Sequence, residues 1–161
     1  MVHLRRYRTA DAPALAAILH AAVHRIAARH YTPAQCAAWS PAPMPAGMYD
    51  ARVDDGRTVI VASDADDTPI GFIELEQGGH IDCFYCHPDA VGTGVGRALY
   101  AEAEELALSS GLETLHVEAS ESALGFFQRA GFRTTARRDF ERNGVTLHNY
   151  AMEKRLEHPG A

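Results

Sequence analysis

Most of the chemical capacity of this chain lies in two stretches, residues 74–97 and residues 118–122. The run Val91-Gly92-Thr93-Gly94-Val95-Gly96-Arg97 opens a helical pattern. The first N–H groups of a helix lack acceptors and carry the positive end of its dipole, so this turn is a site for a phosphate. Glycine suits it because a side chain would hold the ligand away from the backbone. The same glycines would also serve a tight turn with no ligand at all. Ahead of the turn, His80, Asp82 and Glu74 can take a proton from a nucleophile, as can Glu118 further on. In a regular strand His80, Asp82, Phe84 and Cys86 share a face, and a charged Asp in a short apolar strand is costly unless hydrated or paired. That ranks Asp82 first and His80 second as general base, with a salt-bridged Asp82 as the structural alternative. Cys83-Phe84-Tyr85-Cys86-His87 has the spacing of a haem attachment, and His80 could extend it to a metal cluster. Residues three apart on a strand point to opposite faces, so no metal is expected.

The elements that must position these groups follow from periodicity. Residues 4–8 read as a first strand. Thr9 or Asp11 can cap a helix carrying Leu15, Ile18, Leu19 and Val23 at helical spacing. Thr32 and Pro33 start a second, short helix over residues 35–39, and the three prolines of residues 40–45 end it as a loop. Residues 58–63, 70–76 and 80–87 form an antiparallel meander. Residues 94–108 are a strong amphipathic helix, residues 114–119 a strand, and residues 122–130 a helix stopped by Gly131. Strands over 132–140 and 145–156, joined by Arg142-Asn143-Gly144, finish the pattern. Strand, helix, strand order makes the strands flanking the 94–108 helix parallel. The expected fold class is α/β: a mixed, mostly antiparallel sheet with one βαβ unit. All 161 residues are expected to form a single domain, with a strand and two helices in 1–50, the meander, turn and helix in 57–110, and the last strands and helix in 113–156.

Composition narrows the partners. A net charge of -6 argues against nucleic acid, which needs a clustered basic surface. No apolar run approaches the roughly 18 residues of a membrane span, and no signal-peptide core follows the arginines near the start. A cytoplasmic protein without a membrane partner is expected, a monomer or homodimer, with Cys36, Cys83 and Cys86 reduced. A nucleotide P-loop would need Gly-Lys-Ser/Thr where this helix opens Gly96-Arg97-Ala98, and a dinucleotide fold would place its turn after the first strand.

The stretch Phe84-Tyr85-Cys86-His87-Pro88-Asp89, followed by Gly92-Thr93-Gly94-Val95-Gly96-Arg97-Ala98-Leu99, resembles the acyl-CoA signature of the GNAT acetyltransferase superfamily. A second block, Ser120-Glu121-Ser122-Ala123-Leu124-Gly125-Phe126-Phe127-Gln128-Arg129-Ala130-Gly131-Phe132, resembles that family's later helix and the Gly-Phe start of its next strand. The segments His30-Tyr31-Thr32-Pro33-Ala34-Gln35 and Ala38-Trp39 look like the small bacterial YafP-type branch.

The resemblance implies splayed central strands, helices on both sheet faces, and acetyl-CoA as co-substrate. Backbone groups of Tyr85, Cys86 and His87 would hold its pantetheine, and residues from Val91 through Arg97 its pyrophosphate, with Ser122 and Phe127 as further cofactor contacts. An acetyl group would pass to a primary amine by direct attack, with catalytic roles for Asp82, His80, Tyr85 and Ser120. Two departures stand out: Val91 where the family has Arg or Gln, and Phe127 where many members have an acid Tyr. They favour an alternative, a non-catalytic acyl-CoA-binding module. Loss of the acid is nonetheless tolerable, because releasing thiolate rather than thiol at pH 7 costs only about 2 kcal/mol. Tyr85, Ser120, Ser122 and Tyr150 are candidate substitutes.

Overall fold

The structure, a computed structural model, describes residues 2–158. Seven strands, β1 (His3–Arg6), β2 (Thr58–Ser63), β3 (Pro69–Leu75), β4 (His80–Cys86), β5 (Thr114–Ala119), β6 (Arg133–Arg142) and β7 (Val145–Arg155), form one sheet in the order β1-β2-β3-β4-β5-β7-β6. All neighbours are antiparallel except β4 and β5. Five helices cover its faces: α1 (Ala12–Arg25), α2 (Pro33–Trp39), α3 (Gly47–Val53), α4 (Val95–Ser109) and α5 (Glu121–Arg129).

The local rules act where expected. Thr32 caps α2 reciprocally: its Oγ1 accepts from the Gln35 amide at 3.1 Å, and its own amide donates to Gln35 Oε1 at 2.9 Å. At α1 the expectation needs correction. Asp11 does not cap that helix but accepts both Arg5 guanidinium nitrogens, at 2.7 and 2.8 Å, and the Arg8 amide. The prolines of residues 40–45 stay irregular, but α3 follows them unannounced, its short stripe anchored by the buried Tyr49.

Two core layers sandwich the sheet. Leu99 and Ala103 of α4, with Phe127 of α5, pack on Ile73, Ile81 and Val117, while Leu15 and Ile18 of α1 pack on Val61 and Phe72 of the other face. The assumption that β4 is regular fails. Ile73 pairs with Phe84 and Leu75 with Ile81, so three residue steps of β4 lie against two of β3. This β-bulge resets the alternation. Ile81, Phe84 and Cys86 face the α4 layer, whereas Cys83 and Tyr85 face the α1 layer. His80 and Asp82 therefore do not share a face with Phe84 and Cys86.

β4 and β5 pair only at His80–His116 and Ile81–Val117, and then diverge. The closed end of this splay is set by Gly79, whose carbonyl accepts the His116 amide at 3.1 Å. Its φ is +94°, and a Cβ there would sit 2.4 Å from the Thr114 carbonyl oxygen. Gly79→Ala is expected to cost about 2–4 kcal/mol, from left-handed strain plus a backbone clash, read as a lower denaturation midpoint.

Candidate active site

The splay leaves backbone groups without a strand partner. The His87 amide donates to the Ile70 carbonyl at 2.8 Å. Alternation along the antiparallel ladder then commits Tyr85 to Phe72, and turns the backbone of Phe84 and Cys86 away from β3, toward the gap. The amides of Tyr85 and His87, expected as cofactor contacts, are thus taken by β3, while Cys86 keeps the expected place. At the mouth of the gap Gly92 and Gly94 have φ of +80° and +94°, which only glycine adopts without strain. The first helical bond of α4 runs from the Ala98 amide to the Gly94 carbonyl, so the amides of Val95, Gly96 and Arg97 point outward without helical acceptors. Thr93 closes the turn instead, its amide and Oγ1 both donating to the Ala90 carbonyl. Val91 exposes its side chain. Arg97 is also exposed, a cation available to a phosphate. An acyl-CoA fits this arrangement: helix amides and Arg97 for pyrophosphate, the open strand edge for the amide-rich pantetheine.

On the α1 side of the sheet, a cavity of about 530 Å³ opens onto the splay. Asp82, Cys83 and Tyr85 reach it from β4, Glu118 from β5, and Ser120 from just beyond β5. Tyr31 and Trp39 form an aromatic wall, and Met44 and Met48 contribute from the proline-rich loop and α3. The opposite wall comes from β6 and β7. Tyr31 braces the cavity: its hydroxyl donates to the His148 carbonyl and accepts the Glu121 amide, both at 3.0 Å.

Electrostatics separates the candidate bases. Glu74, fully buried, accepts Arg52 Nη2 at 2.8 Å and Arg57 Nη1 at 2.5 Å on one oxygen. The same two nitrogens reach Asp82 Oδ2 at 2.6 and 2.8 Å. Burial works against ionising Asp82, but the Arg57 hydrogen bond and the fields of Arg52 and Arg57 outweigh it and hold its carboxyl below the ordinary value. The first-ranked base is thus held in ion pairs, the arrangement of its salt-bridged alternative, while it also lines the cavity. His80 differs. Its Nδ1 meets Glu76 at 2.8 Å and its Nε2 meets Glu118 at 3.0 Å. Burial lowers its proton affinity, yet the Glu76 hydrogen bond and the fields of Glu118, Glu76 and Asp82 prevail, so the imidazole holds its proton above the usual range.

Of the remaining residues, Tyr85 and Ser120 line the cavity, and Ser122 Oγ is buried without a partner among the described residues. Phe127 stands corrected as a cofactor contact. It is 2% exposed, packed edge-on against Phe84, Tyr100 and Phe132, with no face left for a ligand. A tyrosine hydroxyl there would be buried among aromatic rings, at a cost. Cys83 and Cys86 lie on opposite faces, as their spacing implies, and burial pushes the Cys86 thiol up to about 11 and the Cys83 thiol well above its ordinary value. Sequence reasoning missed Arg52, Arg57, Arg138, Arg142 and His148. Only the alternation Arg138, Phe140, Arg142 could have been read as a face.

Among the described residues no helix is long and apolar enough to cross a membrane. The family model for the acetyltransferase (GNAT) domain matches residues 27–154. The uncharacterized N-acetyltransferase YafP of Escherichia coli strain K12 is 29% identical over 157 residues, covering 98% of each chain. A GCN5-related N-acetyltransferase crystal structure from Rhodopseudomonas palustris superposes with a TM-score of 0.88 at 36% identity, over 96% of this chain and 95% of that one. The PaiA N-acetyltransferase of Thermoplasma acidophilum, solved in complex with coenzyme A, shares the fold with a TM-score of 0.77 at 19% identity, over 97% of this chain and 99% of that one.

Proposed function

The chain belongs to the GNAT acetyltransferase family and is an acetyl-CoA-dependent N-acetyltransferase, and from that premise we propose that it acetylates the primary amine of a small molecule or peptide held in the 530 Å³ cavity. Carrying this proposal is the position of that cavity, lined from both sides of the splay by Tyr85 and Glu118, so that an amine there faces the β4–β5 gap. Bound acetyl-CoA supplies an acetyl group activated as a thioester.

The chain's own residues orient the reaction and manage its protons. The amine nitrogen bonds to the acetyl carbon as the carbon–sulfur bond breaks, the amine proton leaves to a base, and the sulfur departs as thiolate or thiol. An amide of Phe84 or Cys86, turned into the gap, is placed to donate to the carbonyl oxygen as it gains charge. Glu118 takes the amine proton, directly or through water, and passes it to neutral His80, whose raised affinity suits a base working near neutral pH. Tyr85 and Ser120 present hydroxyls that can return a proton to the sulfur. Asp82 acts by neutralising Arg52 and Arg57. The raised thiols of buried Cys83 and half-buried Cys86 favour direct attack over a covalent enzyme intermediate. Cys83→Ala and Cys86→Ala should each keep turnover within about tenfold, followed as release of CoA thiol.

The experiment is acetyl-CoA turnover against a panel of amines, with mass-spectrometric identification of the product. An acetylated amine supports the proposal. CoA binding with no product from any amine would return the chain to the binding-module alternative.

A further inference from the structure

Acetyl transfer alone does not require the charge pattern found on the β6 wall of the cavity. Side chains alternate across a strand, and Arg138, Phe140 and Arg142 all line the cavity. The four arginines of β6 are not equivalent. Arg133 pairs with Glu153, Arg137 with Asp139, and Arg138 lies 3.9 Å from Glu118 while donating to Asn149 Oδ1 at 3.3 Å. Arg142 has no acidic partner among the described residues. Arg52, the third arginine of the lining, is already neutralised by Glu74 and Asp82. An acidic chain of net charge -6 thus turns an uncompensated guanidinium toward its acceptor cavity.

Two other donors line the same cavity, the Trp39 indole and the Tyr85 hydroxyl. Burial and the neighbouring Cys83 raise the Tyr85 phenol, while a hydrogen bond from the Trp39 indole and the field of the Arg142 guanidinium act in the opposite sense. A planar guanidinium facing a cavity binds a carboxylate through two parallel hydrogen bonds. Four residue steps separate Arg138, beside Glu118, from Arg142, about 13 Å along β6. The cavity therefore has a proton-accepting end and a cationic end, joined by Phe140 and Trp39.

We propose that the amine acceptor also carries a carboxylate, as an amino acid or related amino carboxylate with an apolar body does, and that Arg142 binds it. This rests on the acetyl-transfer reading of the cavity and names the substrate class. A purely cationic amine would meet the wrong charge at Arg142.

Trp39 is the chain's one tryptophan, so its fluorescence reports on this wall directly. The test titrates 3-phenylpropanoate and 3-phenylpropanamide into the full chain with CoA present; neither compound can be acetylated, so binding is read without turnover. The carboxylate is expected to bind at least about tenfold more tightly than the amide. Arg142→Gln should erase that difference by weakening the carboxylate alone. Arg133→Gln, the same charge change at a remote position on the strand, should preserve it. Equal affinities, no carboxylate binding at millimolar concentration, or an unchanged preference in Arg142→Gln would each overturn the proposal. Carboxylate preference with no acetylated amine would sink the transfer reading alone, whereas acetylation indifferent to the carboxylate would sink this one alone.

Discussion

Glu118→Gln is expected to lower kcat by about 10²–10⁴-fold, the usual contribution of a general base, with little change in the KM for acetyl-CoA. Glu118 lines the cavity one residue past the last β4–β5 pair and is hydrogen-bonded to His80 at 3.0 Å. His80 must be unprotonated to receive a proton, and its surroundings hold that proton above the ordinary 6.5. Activity should therefore fall as pH drops through a value above 6.5, and His80→Gln should displace that acid limb. The stability linkage has the opposite sense. A raised folded-state pKa contributes stability that is full below the unfolded value and is lost as pH rises through the folded one. The advantage of wild type over His80→Gln should accordingly shrink on raising the pH above 6.5, in urea unfolding at a series of pH values. Asp82→Asn should keep the acid limb but move it to lower pH, since the Asp82 field helps hold the His80 proton while Asp82 itself is ionised well below that range. Loss of the limb in Asp82→Asn with near-normal turnover in Glu118→Gln would transfer the base role to Asp82.

Glu74→Gln is expected to cost about 3–5 kcal/mol in unfolding free energy. Two carboxylates, Glu74 and Asp82, neutralise two guanidiniums, Arg52 and Arg57, in a group whose centre is Glu74, fully buried opposite the β4 bulge. Removing its charge leaves two arginines sharing the partly exposed Asp82 and the peripheral Asp55. The cost comes from the stranded cations rather than from the net worth of the ion pairs. Denaturant titration measures it, and a loss below about 1 kcal/mol would mean that the arginines find water instead.

The cofactor side was legible because it is local. Positive-φ glycines, a helix start and its outward amides lie within a few residues of one another, so Gly92 and Gly94 announce themselves wherever the chain runs. Capping at Thr32 was legible for the same reason. α3 was not, since seven residues with one strongly buried aromatic carry almost no periodic signal. Phe127 was readable as an aromatic near the cofactor block, but its burial among four other rings is a property of the assembled core.

The acceptor side belonged to the tertiary structure. The bulge in β4 exists only as a count of that strand against β3, and it moves Asp82, Cys83 and Tyr85 onto one face. Arg52 and Arg57 stand 30 and 25 residues from Asp82 in sequence, yet they decide that this carboxylate is a counter-ion. What the sequence by itself determined is the positive-φ turn at Gly92 and Gly94 with the outward amides of the helix that follows it, because a turn's conformation is written in its own residues. What only folding decided is which carboxylates are locked between arginines and which arginine has no acidic partner among the described residues, because charge compensation depends on groups brought together from distant parts of the chain.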